Sequence, residues 1–475
     1  MRASSSLSLI GLLVMSACVP KLPDETDLPQ DTHPDSEADT DSDTDTDTDT
    51  DTDTDTDTDA DSDTDTDTDT DSDTDTDSDT GPEPTVERYS GAYTMEAADV
   101  AWYGPHTGAY PGISCRLAPD LTGDGAEDFV IAGLQYAWIV DANAGTGPMP
   151  DAITIDTEAY WYVQGYAAAD RWPSGAPDGQ ADLMLAPGYG TTVGLYQGPI
   201  TADRSASEAD YTWDSSILYI GGVADLDGGS GDELVWSASG SAALYVDQAP
   251  VLGIDYTISC AACSAGLGIG LTHDLTGDGV YDQLASDGST RTTYIVSGSD
   301  LLGDAEITDI AIVALPPPST TVYSALDLNG DGHNDLLVSD GNADDGGTDN
   351  GAIYIEYGPV TATTTVGTSG DRLVGGENDL RIDNAIAGDY DGDGIGDVTF
   401  QTYGRAEAWL FYGPFGGTGV RYSGSADASF TSDGDVIYPG RAGRSAGALA
   451  DVLIFADPTD DTYLADAGAI WLFKP

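Results

Sequence analysis

The sequence predicts an all-β fold: a seven-bladed β-propeller closed by strands from both termini, preceded by a signal peptide and a disordered acidic linker. Three observations carry this. An Asp-rich loop followed by an apolar run recurs along the chain, and each copy is followed by a short strand centred on an aromatic residue. The spacing is roughly 50 to 60 residues, close to the repeat lengths of propeller blades. Long stretches of 3.6-residue periodicity are missing, whereas Gly-bounded apolar runs of strand length abound.

The N-terminal segment reads as a targeting signal. Arg2 supplies a positive start, and Leu7–Met15 is apolar but too short to span a bilayer. It ends in Met15-Ser16-Ala17-Cys18, which resembles the lipobox of bacterial lipoproteins. The resemblance implies removal of residues 1–17 and lipidation of Cys18, with Val19 in place of Asp pointing to the outer membrane. The plainer alternative is an ordinary secretory signal with an incidental Cys. From about Asp39 to Thr80 the chain is an Asp-Thr/Asp-Ser alternation, interrupted only by Ala60. Such a tract has nothing to bury, and its charges repel and extend it. Residues 18–88 are therefore expected to be a lipid-anchored disordered stalk, reaching roughly 200 Å at about 3.3 Å per residue. Residues 89–475 carry the propeller. A net charge of −71 with only 14 Lys and Arg in 475 residues excludes nucleic acid as a partner and favours cations.

Four loops are complete. Asp120-Leu-Thr122-Gly-Asp124-Gly-Ala-Glu-Asp128 precedes Phe129-Val-Ile, and Asp274-Leu-Thr276-Gly-Asp278-Gly-Val-Tyr-Asp282 precedes Gln283-Leu-Ala. Asp327-Leu-Asn329-Gly-Asp331-Gly-His-Asn-Asp335 precedes Leu336-Leu-Val, and Asp389-Tyr-Asp391-Gly-Asp393-Gly-Ile-Gly-Asp397 precedes Val398-Thr-Phe. These belong to units one, four, five and six. Unit three has a weaker copy, with Asp225, Asp227 and Glu233 but Gly229 at the fifth position. Unit two keeps only Asp178-Gly-Gln-Ala-Asp182, and unit seven keeps Asp451 before Val452-Leu-Ile. The strand aromatics are Trp138, Tyr196, Tyr245, Tyr294, Tyr354, Trp409 and Trp471. Their recurrence at one strand position favours packing between blades over a sugar-stacking ring. The last unit lacks an outer strand, which either Tyr93-Thr-Met-Glu or Val100-Ala-Trp-Tyr can supply.

These loops, with strands such as Gly351-Ala-Ile-Tyr-Ile and Gly468-Ala-Ile-Trp-Leu, resemble FG-GAP repeats, known from the integrin α-chain propeller and from bacterial surface proteins. The resemblance covers about residues 89–475. It implies seven blades, with each loop joining a blade's first two strands and binding calcium.

The loop chemistry fits that implication. Calcium takes about six to eight oxygen ligands in a tolerant geometry. Short acidic or amide side chains at positions 1, 3, 5 and 9 supply them, a carbonyl near position 7 adds another, and Gly at position 6 allows the sharp turn. Thr122 and Thr276 offer only a neutral oxygen at position 3. The expected ligands are Asp120, Thr122, Asp124 and Asp128; Asp225, Asp227 and Glu233; Asp274, Thr276, Asp278 and Asp282; Asp327, Asn329, Asp331 and Asp335; and Asp389, Asp391, Asp393 and Asp397. About four or five calcium ions would be held. The bland alternative is a set of Asp/Gly hairpin turns without metal. In unit seven, Arg441 or Arg444 is expected to replace the cation and pair with Asp451. Tyr160, Trp161, Tyr162, Trp172 and Tyr189 cluster around the degenerate second unit and are weaker ligand candidates.

Cys260-Ala-Ala-Cys263 in an exported chain is expected to form a local disulfide or to bridge to Cys115. No nucleophile elbow, zinc-protease helix or phosphate loop occurs, and Lys is confined to Lys21 and Lys474. The chain is read as no enzyme but as a monomeric calcium-binding surface lipoprotein whose propeller binds a protein or glycan. A propeller-based lyase or hydrolase and a purely structural envelope protein are the alternatives.

Overall fold

The computed structural model describes residue 86 and residues 88–474, apart from 107–108, 113, 134, 150–151, 158–162, 169–179, 188–191, 215–216, 225, 227–232, 239–241, 248–253, 264–266, 272, 288–291, 312, 316–320, 325, 363–370, 379, 403–405, 418, 434–437, 441–450, 458–459 and 461–466. Of the chain's two units, Pro23–Thr85 lies wholly outside these residues, and the description concerns the other. The signal segment, Cys18 and the Asp-Thr tract fall outside it as well.

The fold is an all-β propeller. Among the described residues the strands pair into seven sheets of four or five strands, and no helical segment exceeds four residues. The sheet of unit five is typical: Thr321–Ser324, Leu336–Asp340, Ala352–Glu356 and Arg372–Val374 run antiparallel in sequence order. Its Asp loop joins the first two strands, as the sequence implied.

The second strand of each sheet explains the continuous apolar runs. Asp128–Ala132, Asp282–Asp287, Leu336–Asp340, Asp397–Thr402 and Leu453–Asp457 are buried at every position. Both faces are covered by neighbouring sheets, so there is no solvent face for polar residues to alternate onto. The buried cores accordingly lie between sheets. Leu337 and Ile353 of unit five meet Val398 and Phe400 of unit six. Leu410 and Phe430 of unit six meet Phe455 and Phe473 of unit seven. Further cores join units one and two, three and four, and four and five.

Both candidate terminal strands are used, in different places. Val100–Tyr103 pairs antiparallel with Ala469–Phe473 and completes the sheet of unit seven. Gly91–Thr94 pairs parallel with Ala428–Thr431 of unit six. This second role recurs as a latch: Arg204–Ser205, Ala305–Glu306 and Val420–Tyr422 each reach back to the outer strand of the preceding sheet. The latch ends on an Asp in units two, six and seven. The backbone N–H of Asp210, Asp427 and Asp99 donates to the carbonyls of Leu195, Leu410 and Leu472. Their carboxylates then accept from the N–H groups two residues on, those of Gln197, Tyr412 and Lys474.

Six of the seven strand aromatics share one register, each opposite the third residue after loop position 9, as in Trp138 opposite Ile131 and Trp471 opposite Phe455. Tyr196 departs from it. Gly194 stands at the shared position, opposite Leu185, and Tyr196 lies two residues further on, opposite Leu183. A Cβ on Gly194 would meet the Tyr196 ring at 3.1 Å, so the displaced ring fills the space the glycine leaves. Trp138, Tyr196, Tyr294 and Trp471 are buried, in keeping with a packing role. Cys260 and Cys263 form the local disulfide, and Cys115 is a buried free thiol.

Trp102 sits fully buried on the N-terminal strand, edge-on to Phe129 of unit one with centroids 5.3 Å apart, in the core that joins units seven and one. Replacing it with Ala should cost about 3–5 kcal/mol in denaturant unfolding. A loss below about 1 kcal/mol would show that this strand does not seal the two ends of the chain together.

Candidate metal centre

Each complete loop is built on two left-handed glycines. Positions 4 and 6 have φ of 77° and 91° in unit one, 80° and 88° in unit four, 81° and 89° in unit five, and 75° and 84° in unit six. Only position 6 was legible as a turn glycine. In unit one a side chain at position 4 would also collide: a Cβ on Gly123 would lie 2.8 Å from Pro199 of the next unit. The requirement at Gly123 is thus both conformational and steric.

The position-1 carboxylates gather backbone N–H groups. Asp327 Oδ1 accepts from Gly330 at 2.6 Å and Asp331 at 3.1 Å, and its Oδ2 from Gly332 at 2.6 Å. Asp120 and Asp274 repeat the pattern on Gly123, Asp124 and Gly125 and on Gly277, Asp278 and Gly279. Position 5 is exposed in all four loops, and its carboxylate accepts the N–H two residues on, as Asp124 does from Ala126 and Asp393 from Ile395. At position 3, Thr122 Oγ1 donates to Asp120, Thr276 Oγ1 to Asp282, and Asn329 Nδ2 to Asp331.

Position 9 is the buried end of the site. Asp128, Asp282, Asp335 and Asp397 have no exposed surface. One oxygen of each accepts the N–H of the position-2 residue: Leu121, Leu275, Leu328 and Tyr390, at 2.7–2.8 Å. Glu233 does the same for Leu226, although Asp225 and Asp227 lie outside the described residues. The other oxygen of Asp335 and Asp397 accepts from Gly358 and Gly413 beyond the third strand. Asp182 makes that second bond to Gly198, so unit two keeps the tie to the exit of its third strand. Asp128 Oδ1, by contrast, is buried with no hydrogen-bond partner.

The loops also join neighbouring units. The position-2 carbonyls of Leu121, Leu275 and Leu328 accept the N–H groups of Ile200, Val360 and Phe415 from the following unit, at 2.7–2.8 Å. Unit seven differs from its sequence reading. Leu453 pairs with Phe473 as Val398 pairs with Phe411, which puts Val452 at position 9 and Asp451 at position 8. Asp451 turns to unit six, its Oδ2 accepting from the Asp389 N–H while its own N–H donates to the Asp389 carbonyl. Arg441 and Arg444, the expected partners of Asp451, lie outside the described residues, as do Asp178, Tyr160, Trp161, Tyr162, Trp172 and Tyr189.

The electrostatics ask for a cation. Carboxylate oxygens of Asp274, Asp278 and Asp282 lie within 4.8 Å of one another, and so do those of Asp389, Asp391 and Asp397. Burial pushes Asp128 and Asp335 up to about 6, Asp282 to about 7 and Asp397 to about 8, with neighbouring loop carboxylates adding to the rise and backbone N–H bonds opposing it. An orphaned buried oxygen, clustered carboxylates and hard oxygen donors fit a divalent cation such as calcium. One contributor was invisible in the motif: Arg88 forms an ion pair with Asp391 and donates to Asp393 Oδ2 at 3.2 Å. It stands about three hundred residues away in sequence, and its only signal was its isolation as a cation between Lys21 and Arg116.

The FG-GAP repeat family matches residues 320–355, which contain the unit-five loop and the first three strands around it. No curated protein matches. Among solved structures, a chain of the Chaetomium thermophilum Polycomb Repressive Complex 2 bound to GSK126 is similar at 10% identity and a TM-score of 0.50, covering 80% of this chain and 98% of that one. A chain from the crystal structure of BBS1N in complex with ARL6DN, soaked with lead, is similar at 11% identity and a TM-score of 0.43, covering 82% of this chain and 97% of that one. At such identity the first likeness concerns the fold alone.

The raised position-9 carboxyls set a pH dependence. Their folded pKa lies above the unfolded value of about 3.9, so the protonated form is favoured by folding. The stability they contribute is full below about pH 4 and is lost as pH rises toward 6–8. Chelator-treated protein should therefore melt at lower temperature at pH 8 than at pH 5. A midpoint that rises over that interval would contradict the burial of uncompensated carboxylates.

Proposed function

Since this chain is a β-propeller carrying an FG-GAP repeat, we propose that it is a calcium-binding cell-surface lipoprotein whose propeller serves as a binding or adhesion module for a protein or a glycan. Each of the seven sheets is taken as one blade, and the pairing of Val100–Tyr103 with Ala469–Phe473 as the closure of the ring. The observation that carries the calcium reading is the convergence of carboxylates on a buried position-9 Asp, above all Asp274 and Asp278 with Asp282, and the wholly buried Asp389, Asp391 and Asp397. Asp128, Asp335 and their loop partners, and Glu233 in unit three, extend the same donor set to the other units. Bound calcium would neutralise these groups and tighten the loops that tie one blade to the next. That supports a module rigid enough to present loops on one face while the stalk spaces it from the membrane. The module reading rests on the repeat family.

In this reading, residues 1–17 are the signal, Cys18 carries the lipid, and residues 18–88 form the spacer. The membrane contact is then through lipid alone. Enzymatic activity is not part of the proposal, because the acidic side chains of the loops are committed to backbone N–H groups and to the cation.

The whole chain, extracted from membranes in detergent, should show a large rise in melting temperature on moving from chelator to millimolar calcium, with about four or five ions bound by elemental analysis. Cys18→Ala should move the chain from the membrane to the soluble fraction. No calcium shift and no bound metal would reduce the loops to metal-free turns, and an unchanged membrane fraction would remove the lipid anchor.

A further inference from the structure

Arg88 enters a complete Asp loop from outside it. Its guanidinium forms an ion pair with Asp391 and a hydrogen bond to Asp393 at 3.2 Å, the third and fifth positions of the unit-six loop. The Asp391 side chain is 1% exposed and that of Arg88 54% exposed, so the guanidinium approaches a buried carboxylate from the solvent side. The guanidinium also lies over the Tyr412 ring, 5.0 Å from its centroid. The next residue fixes the approach. The Tyr89 N–H donates to the Tyr412 hydroxyl at 2.7 Å, and the Tyr89 ring packs edge-on against Phe430 and Phe473. Arg88 is also the root of the N-terminal segment, immediately before the latch strand Gly91–Thr94.

Calcium in this loop would draw on the same carboxylates. Asp391 and Asp393 cannot turn their oxygens to a divalent ion at the loop centre and keep a guanidinium at contact, because the two cations would then stand within a few ångströms in a partly desolvated site. We propose that Arg88 is the resident counter-cation of the unit-six loop, and that Arg88 and calcium exclude one another there. Calcium binding to this loop releases the root of the N-terminal segment, while loss of calcium clips it back. Calcium must displace Arg88 to enter the unit-six site, so the guanidinium lowers that site's affinity for calcium. This inference rests on the calcium reading above.

The sequence provides its own reporter, because no Lys or Arg lies between Lys21 and Arg88 or between Arg88 and Arg116. Trypsin cleavage after Arg88 yields a fragment beginning at Tyr89 that mass spectrometry identifies. In the whole chain, cleavage there should be slow without added calcium and several-fold faster in millimolar calcium, against the general slowing expected elsewhere in a stabilised propeller. Asp391→Asn should speed the same cleavage without calcium. Arg88→Gln should raise the affinity of one calcium site several-fold in a titration and leave the others unchanged. If calcium binds but cleavage after Arg88 does not accelerate, or Arg88→Gln changes no site, the exclusion is overturned while the calcium reading stands. If no calcium binds to the wild-type chain, both fall.

Discussion

The structure depends on one repeated interaction, a fully buried carboxylate at loop position 9 that accepts the N–H of the residue at position 2. Two hydrogen-bonded ends of a nine-residue loop are thereby held together at the mouths of the sheets of units one, four, five and six, and Glu233 does the same in unit three. Where the second oxygen also reaches Gly358 or Gly413, the same carboxylate fixes the exit of the third strand. The position-2 carbonyl then points outward and receives Ile200, Val360 or Phe415 from the following unit. Burying such a group is costly unless it is hydrogen-bonded and its charge is balanced. Backbone N–H groups meet the first need, and a bound cation would meet the second.

The departures from the repeat follow the same logic. Unit two has lost the ligands but keeps Asp182 on Gly198, so the tie to the exit of the third strand outlasts the acidic cluster. Unit seven has Val452 at position 9, and Asp451 connects instead to the backbone of Asp389 in unit six. The latches supply a second tie between neighbours, on the outer strands. There Arg204 and Arg421 pair with Asp210 and Asp427 and lie over Tyr196 and Phe411, at partly exposed sites where an ion pair alone contributes roughly 0–1 kcal/mol. Geometry rather than charge gives these contacts their worth, since the Asp is simultaneously held through its backbone N–H.

Much of this was legible in the residues. The period of Asp loop, apolar run and aromatic strand gave the all-β propeller, and the missing outer strand of the last unit pointed to the segment carrying Tyr93-Thr-Met-Glu and Val100-Ala-Trp-Tyr, of which the pairing picks out Val100–Tyr103. Local motifs reveal what local geometry requires, such as the turn glycine at position 6. They were silent where partners come from afar. Arg88 meets Asp391 across the join between the two ends of the chain, and Asp99 meets Lys474 across the same join. Gly123 at position 4 needed the neighbouring Pro199 to explain it. The shift of Tyr196 was hidden because a tyrosine does stand in the strand, and only the pairing register shows that Gly194 holds its expected place. Likewise Asp451 precedes an apolar run as position 9 does, yet the register puts it one residue earlier.

The central claim is that the position-9 carboxylate holds loop and blade together and that a cation completes it. Native-state hydrogen exchange at the N–H groups of Leu328 and Gly358, both donated to Asp335, tests it most directly. The account predicts slow exchange of both amides with a common opening free energy, slowed further by calcium. Rapid exchange of either amide, or rates that calcium leaves unchanged, would contradict it.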